Sequence, residues 1–120
     1  MKIAVIGSRD FSDPEQVYEY VRGLYRTDMV VTGGARGVDR YAEMAAVSRR
    51  ISRLVYEPKC EDDSDTYVSE LHARNELIVK VADRVVAFYD GTSRGTASVI
   101  ELARKLRKPL DVYGPRGKRT

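Results

Sequence analysis

Short apolar runs alternate with longer amphipathic stretches along this chain. Five runs predict strands, at residues 2–6, 29–32, 54–56, 84–89 and 109–113. Between them, apolar side chains recur every three or four positions and predict helices at about 14–26, 38–49, 67–82 and 95–107. The spacing of Ser12 and Glu15 around Pro14 predicts a capping box at the first helix. The acidic stretch 57–66 has no apolar period and predicts an exposed loop.

Strands that alternate with helices are typical of a parallel sheet covered on both faces. With right-handed crossovers, the five units predict an α/β, Rossmann-like three-layer sandwich with a five-stranded parallel sheet in the order 3-2-1-4-5. In such sheets a ligand binds beyond the carboxyl ends of the strands, where the order reverses. We therefore expect the functional site between strands one and four.

The composition fits one globular domain, which we place at residues 1–114, followed by a basic tail at 115–120. The chain has 120 residues, of which 42% are hydrophobic and 32% charged. A single cysteine, Cys60, and a single histidine, His72, give no disulfide and no cluster with metal-ligand spacing. No apolar run approaches the roughly 20 residues that span a bilayer. We expect a cytoplasmic protein without a metal, a cofactor or a membrane partner.

The basic character of the chain is concentrated at one end. The formal charge is +3, and without Arg116, Lys118 and Arg119 the chain has 18 basic and 18 acidic residues. The tail is interpreted as a solvated end, with phosphate contact as the alternative. Because the body is neutral, we expect a small anion as the partner, and the charge argues against a nucleic acid.

Three strand-to-helix turns hold six of the nine glycines, and each of these turns also carries an arginine. The glycines are Gly7, Gly33, Gly34, Gly37, Gly91 and Gly95, and the arginines are Arg9, Arg36 and Arg94. Glycine lets a phosphate approach the backbone, a helix N-terminus offers free N–H groups, and arginine binds phosphate with two parallel hydrogen bonds. This combination predicts a phosphate-bearing ligand. The alternative is that the turns need glycine only for positive φ.

Two familiar phosphate motifs are absent from the sequence. Neither Gly33-Gly34-Ala35-Arg36-Gly37 nor the turn after the first strand has the G-x-G-x-x-G spacing, and no G-x-x-x-x-G-K-[ST] occurs. The sequence therefore does not favour a dinucleotide dehydrogenase or a P-loop nucleoside triphosphatase.

The turns resemble those of a known superfamily. Gly7-Ser8-Arg9-Asp10-Phe11, Thr32-Gly33-Gly34-Ala35-Arg36-Gly37-Val38-Asp39 and Gly95-Thr96 are similar to motifs of the SLOG superfamily, and within it of the YspA and cpYpsA-related family. The resemblance covers residues 2–112. It implies a Rossmann-like nucleotide-binding domain that forms a homodimer or a higher homo-oligomer. Relatives include the LOG phosphoribohydrolases and the DNA-uptake protein DprA.

The resemblance to LOG enzymes is incomplete at the catalytic carboxylate. Their motif M-H-x-R-K resembles residues 71–75, which implies a phosphate-binding role for Arg74. Their motif P-G-G-x-G-T-x-x-E places Val99 where the catalytic glutamate belongs. Helical periodicity puts Val99 and Leu106 on the inner face of the last helix and Glu101 on the outer face. Asp10, Asp39 and Asp90 lie at the correct edge as replacements. Ribose binding or helix capping explains these aspartates equally well.

Three functions follow from these features. We expect first a module that binds a nucleotide or nucleotide-derived ligand, second a LOG-type nucleoside monophosphate phosphoribohydrolase with Arg74 and Asp90 as catalytic residues, and third a DprA-like single-stranded DNA-binding protein. Whether the chain is an enzyme is left open. The expected ligand-binding residues are Gly7, Ser8, Arg9, Asp10, Gly33, Gly34, Arg36, Gly37, Asp39, Gly91, Arg94, Gly95 and Thr96.

Overall fold

A six-stranded sheet lies between two helical layers in the computed structural model, which describes residues 1–34, 36–56 and 67–118. The elements in chain order are β1 (Lys2–Gly7), α1 (Pro14–Arg22), β2 (Met29–Thr32), α2 (Val38–Ser48), β3 (Ser52–Val55), α3 (Tyr67–Val81), β4 (Arg84–Phe88), α4 (Arg94–Lys105), β5 (Leu110–Gly114) and β6 (Gly117–Lys118). The loop predicted at 57–66 lies outside the described residues.

The strand order is β3-β2-β1-β4-β5-β6, and the first five strands are parallel. The predicted α/β fold and the order 3-2-1-4-5 are confirmed. The short strand β6 pairs antiparallel with β5 and lies within the segment that the sequence assigned to the tail. The strand order reverses between β1 and β4, as expected.

The central strands are apolar on both faces because helices cover both. Ile3 and Val5 of β1 pack with α1 and α2, whereas Ala4 and Ile6 pack with α3 and α4. Such alternation of two buried faces explains why β1 and β4 are continuous apolar runs. The carboxyl ends of the strands therefore form one edge of the sheet between the two helical layers.

The first helix begins at Pro14 as predicted, but its N-terminal cap and its C-terminal end differ from the prediction. Asp13 is the N-cap residue and makes no side-chain capping bond, so the capping box predicted from Ser12 to Glu15 is wrong. The helix ends at Arg22 instead of residue 26, because Gly23 forms the C-cap and donates its N–H to the carbonyls of Glu19 and Tyr20.

The last helix follows its predicted amphipathic pattern. Thr96, Val99, Ile100 and Ala103 are buried, and Glu101 is exposed. The prediction that Glu101 lies on the outer face is therefore confirmed. Leu106, predicted on the inner face, follows the helix as its C-cap and is exposed, since the helical periodicity ends there.

Candidate anion-binding crevice

The first and third glycine-rich turns meet where the strand order reverses. Ser8, buried just after β1, donates its backbone N–H to the Phe88 carbonyl at 3.0 Å. Its hydroxyl accepts the N–H of Asp90 at 3.1 Å. The turn after β1 is thus fixed to the turn after β4.

Two glycines let the turns after β1 and β2 pack closely. A Cβ at Gly7 would overlap the Phe88 carbonyl and the Val38 side chain. A Cβ at Gly37 would overlap the backbone of Arg9, and Gly37 has a φ of 77°. Both positions therefore require glycine for structural reasons. Through these contacts all three turns form one assembly.

The first residue of the β2 turn is held by two side chains. The buried carboxylate of Asp39, in the first turn of α2, accepts the Gly33 N–H at 2.9 Å. Arg74 of α3 donates from Nη1 to the Gly33 carbonyl at 2.6 Å. Arg74 also donates from Nε to Oδ1 of Asn75 at 2.9 Å. The structure thus brings Arg74 to the β2 turn.

The Asp90 carboxylate organises the turn that leads into α4. Its Oδ1 accepts the backbone N–H groups of Thr92 at 2.8 Å and Ser93 at 2.9 Å, and the Thr92 hydroxyl at 3.2 Å. The N–H of Thr92, together with the other hydrogen bonds, lowers the pKa of the Asp90 carboxyl despite its partial burial. A carboxylate so stabilised is ionised, which suits charge stabilisation and not proton donation.

The N-terminus of α4 is capped and locally open. The Ser93 hydroxyl accepts the Thr96 N–H at 3.4 Å and lies 3.1 Å from the buried Thr96 hydroxyl. Gly95, by contrast, would carry a Cβ that has no heavy atom within 4 Å in the described residues, its chain neighbours and the backbone of its own helix apart, and its φ is not left-handed. Neither space nor backbone conformation explains glycine at this helical position.

Charged side chains surround this assembly. Arg9, Asp10, Arg36 and Arg94 are exposed. Among the described residues, none of the three arginines forms an ion pair. The remaining two predicted glycines, Gly34 and Gly91, have φ values of 72° and 93° and serve as turn residues. Ala35 lies outside the described residues.

Sequence reasoning missed three polar groups at this edge. Asn75, which orients Arg74, stands where the LOG motif has lysine. Ser93 is the N-cap of α4, a role that its spacing of three residues from Thr96 could have signalled. The Thr32 hydroxyl is buried and has no hydrogen-bond partner in the described part of the chain. Nothing in the sequence marked that hydroxyl.

Two other features of the described residues are their potential metal ligands and the lengths of their apolar helices. The described residues contain no group of three or more His, Cys, Asp or Glu side chains that could hold a metal ion. Within the same residues, no helix is both long and apolar enough to cross a membrane.

Two solved structures are similar to this chain. DNA processing protein A (DprA) from Streptococcus pneumoniae matches with a TM-score of 0.76 and 21% identity over 94% of this chain and 49% of that protein. DprA from Helicobacter pylori, described with a unique single-stranded DNA binding mode, matches with a TM-score of 0.74 and 27% identity. The match covers 94% of this chain and 65% of that protein. This chain therefore spans about half to two thirds of these proteins. No family model matches the chain, and no curated protein matches it significantly.

The similarity supports a SLOG-type Rossmann-like fold and corrects one expectation. The argument against a nucleic-acid partner is wrong, because the Helicobacter pylori protein shares this fold and binds single-stranded DNA. Net charge averages over the whole surface, whereas phosphate binding depends on where cations lie. Here the exposed Arg9, Arg36 and Arg94 lie at the three joined turns, and none of them forms an ion pair within the described residues, although the body as a whole is neutral. Self-association stays a prediction.

Proposed function

We propose that this chain binds single-stranded nucleic acid by holding the phosphate and ribose of a nucleotide in the crevice between its three glycine-rich turns. The chain is also proposed to belong to the YspA and cpYpsA-related family, on the strength of its Gly7–Phe11 turn. The similarity to a single-stranded DNA-binding DprA supports a polymeric ligand. A phosphate is the chemical group common to the polymer and to a free nucleotide.

The observation that carries the proposal is Gly95. Glycine in the interior of a helix costs about 0.5–1 kcal/mol relative to alanine, which is the upper limit for Gly95, the second residue of α4. Among the described residues outside its own helix, no atom lies within 4 Å of where its Cβ would be, and its φ is not left-handed. A phosphate that approaches the first N–H groups of α4 explains the missing side chain, because a Cβ would occupy the ligand's space.

The charges of the crevice support an anionic ligand. Asp39 and Asp90 take part in hydrogen bonds with backbone N–H groups of the turns. The exposed guanidinium groups of Arg9, Arg36 and Arg94 have no carboxylate partner among the described residues. Arginine forms strong, bidentate hydrogen bonds with phosphate.

Replacing Gly95 by alanine tests the proposal. Binding of a labelled oligo(dT) of about four nucleotides, at the lower end of single-strand site sizes, is measured by fluorescence anisotropy. We expect Gly95→Ala to weaken binding about tenfold or more, since a hydrogen bond to a charged group contributes about 1.5–3 kcal/mol. Its thermal stability should not fall.

A matched glycine provides the control. At Gly23 the φ is −80° and a Cβ would make only ordinary contacts, the nearest at 3.5 Å. Gly23 follows α1 at the end that is far from the crevice, so Gly23→Ala should leave oligonucleotide binding unchanged. Equal binding by the wild type and Gly95→Ala contradicts the proposal.

A LOG-type phosphoribohydrolase is the second candidate. The observation that favours it is the placement of Arg74 at the Gly33 carbonyl after β2 and of the ionised Asp90 in the turn after β4, at the same edge of the sheet. Against it, Val99 is buried where LOG enzymes have the catalytic glutamate. Incubation with a panel of nucleoside monophosphates, followed by chromatography for free base, separates the two functions. Base release that Arg74→Ala and Asp90→Asn abolish supports the hydrolase, whereas binding without turnover supports the binding module.

A further inference from the structure

The edge opposite the crevice is rich in exposed cations. Strands begin and helices end at this amino edge, and Arg26, Arg49, Arg50, Arg104, Lys105 and Arg107 are exposed there. Within the part of the chain that the structure describes, none of the six forms an ion pair. The edge therefore carries unneutralised positive charge.

Carboxylates at the same edge are already engaged. Asp28 binds the terminal amine of Met1 at 3.2 Å. Asp83 accepts the backbone N–H of Lys2 at 2.7 Å. Asp111 binds Arg84 at 2.9 Å. These carboxylates stabilise the strand starts. Two of them are paired with cations and Asp83 with a neutral N–H, so the six exposed cations outnumber the one of these three carboxylates that has no cationic partner among the described residues.

Two of these arginines have an unfavourable backbone conformation. Arg50 and Arg107 have φ values of 58° and 56°, and they are the non-glycine residues with positive φ among those described. Each follows the C-cap of a helix in a Schellman motif. Ile51 donates to the Ala46 carbonyl after α2, and Lys108 donates to the Ala103 carbonyl after α4, both at 2.9 Å.

Glycine is the residue that this position normally has. A non-glycine residue there costs stability, and such strain is found mostly where it serves a function. The helix dipoles favour cations at these ends. Arg49 already supplies that charge at α2, as Arg104 and Lys105 do at α4. The charge at Arg50 and Arg107 therefore exceeds what the helices need.

We propose that Arg50 and Arg107 anchor a second binding surface for the phosphate backbone of single-stranded nucleic acid, at the edge opposite the crevice. This inference rests on the proposed function, because the same polymer occupies both sites. The two edges are separated by strands of four to six residues, or about 13–20 Å at about 3.3 Å per residue. A strand held in the crevice reaches the amino edge once it is long enough to cross one side of the protein.

The double variant Arg50→Gly with Arg107→Gly tests the inference. Oligo(dT) of about 30 nucleotides exceeds the roughly 4–16 nucleotides that one small binding domain covers. For this ligand we expect affinity to fall about three- to tenfold. The slope of log affinity against log salt should decrease by about 1.4, since each single-strand phosphate contact contributes about 0.7. Thermal stability should not fall, because glycine relieves the positive φ.

Two further variants separate local contacts from net charge. Arg22→Gln with Lys80→Gln removes the same charge from cations that are paired with Glu15 and Glu76, and should change the slope less. Arg50→Lys with Arg107→Lys should restore binding. Unchanged affinity and slope in the double glycine variant overturn the inference, as does an equal loss in the paired-cation control.

The length of the oligonucleotide separates this inference from the proposed function. The four-nucleotide ligand is confined to the crevice and should bind the double glycine variant as it binds the wild type. If neither oligonucleotide binds the wild type, the proposed function fails and the inference with it. If both bind the wild type and the double glycine variant equally, only the inference fails.

Discussion

Asp39 and Arg74 hold Gly33 from its two ends. The carboxylate accepts the Gly33 N–H at 2.9 Å, and the guanidinium donates to the Gly33 carbonyl at 2.6 Å. Asp39 belongs to α2 on one face of the sheet and Arg74 to α3 on the other. The first residue of the β2 turn is therefore held by one hydrogen bond from each helical layer.

Removing the Asp39 carboxylate should destabilise the protein. Asp39→Ala leaves the buried N–H of Gly33 without this acceptor, which costs about 1–3 kcal/mol. Asp39→Asn retains an amide oxygen at the same position and should cost less. Urea unfolding followed by circular dichroism measures both free energies. The same stability for the alanine variant and the wild type would show that Asp39 does not support the turn.

A side chain at Gly33 should displace Arg74 without unfolding the protein. The added Cβ would overlap the guanidinium, which is the mobile end of a long side chain. We expect Gly33→Ala to cost no more than about 1–3 kcal/mol of stability and to weaken oligonucleotide binding as Arg74→Ala does. In a double-mutant cycle, Gly33→Ala should cause little further loss once Arg74 is alanine. Additive losses would mean that Gly33 acts independently of Arg74.

Tyr20 should make the protein sensitive to alkali. Its ring packs edge-on against Phe88 and Tyr113, and burial, with the nearby Asp111 carboxylate, raises its pKa to about 12. In the unfolded chain the phenol ionises near pH 10. The folded state thus keeps a proton that the unfolded state loses, and stability declines between pH 10 and 12 by up to about 1.4 kcal/mol per pH unit.

Comparison of Tyr20→Phe with the wild type at pH 7 and pH 11 measures this contribution. The phenylalanine variant should gain stability relative to the wild type at the higher pH, because it has no phenol to ionise. Tyr25 is 77% exposed, and Tyr25→Phe provides the control with no such gain. If the free energies of unfolding of Tyr20→Phe and the wild type differ by the same amount at both pH values, burial does not raise the pKa of Tyr20.

The fold was predictable because its determinants are local or follow from chain handedness. Apolar runs such as β1 mark strands buried on both faces, and right-handed crossovers then determine the order of the parallel strands. Helical periodicity was sufficient to place Val99 inside and Glu101 outside. The start of α1 at residue 14 was predicted correctly, but its capping residue was not, since Ser12 and Asp13 are adjacent and local pattern does not choose between them.

The sequence indicated that the three turns of the candidate site lie at one edge of the sheet, but it did not indicate the contacts among them. Glycines and arginines marked the three turns, but the function of each glycine depends on its tertiary neighbours. Gly7 and Gly37 are required by packing, whereas Gly95 is not. The hydrogen bond between Arg74 and Gly33 joins residues 41 positions apart and has no local signature. The prediction against a nucleic-acid partner was wrong because a neutral total charge does not describe the local charge at the crevice.

The most direct test of a phosphate-binding crevice removes its three arginines together. The triple variant Arg9→Gln, Arg36→Gln and Arg94→Gln changes only exposed side chains. Its control replaces Arg22, Arg53 and Lys80 by glutamine, which removes the same charge from ion-paired cations. Binding of the four-nucleotide oligo(dT) is measured by anisotropy at fixed salt. We predict that the crevice variant loses at least about tenfold in affinity for the oligonucleotide and that the control loses much less. Equal affinities of the two variants would contradict the account.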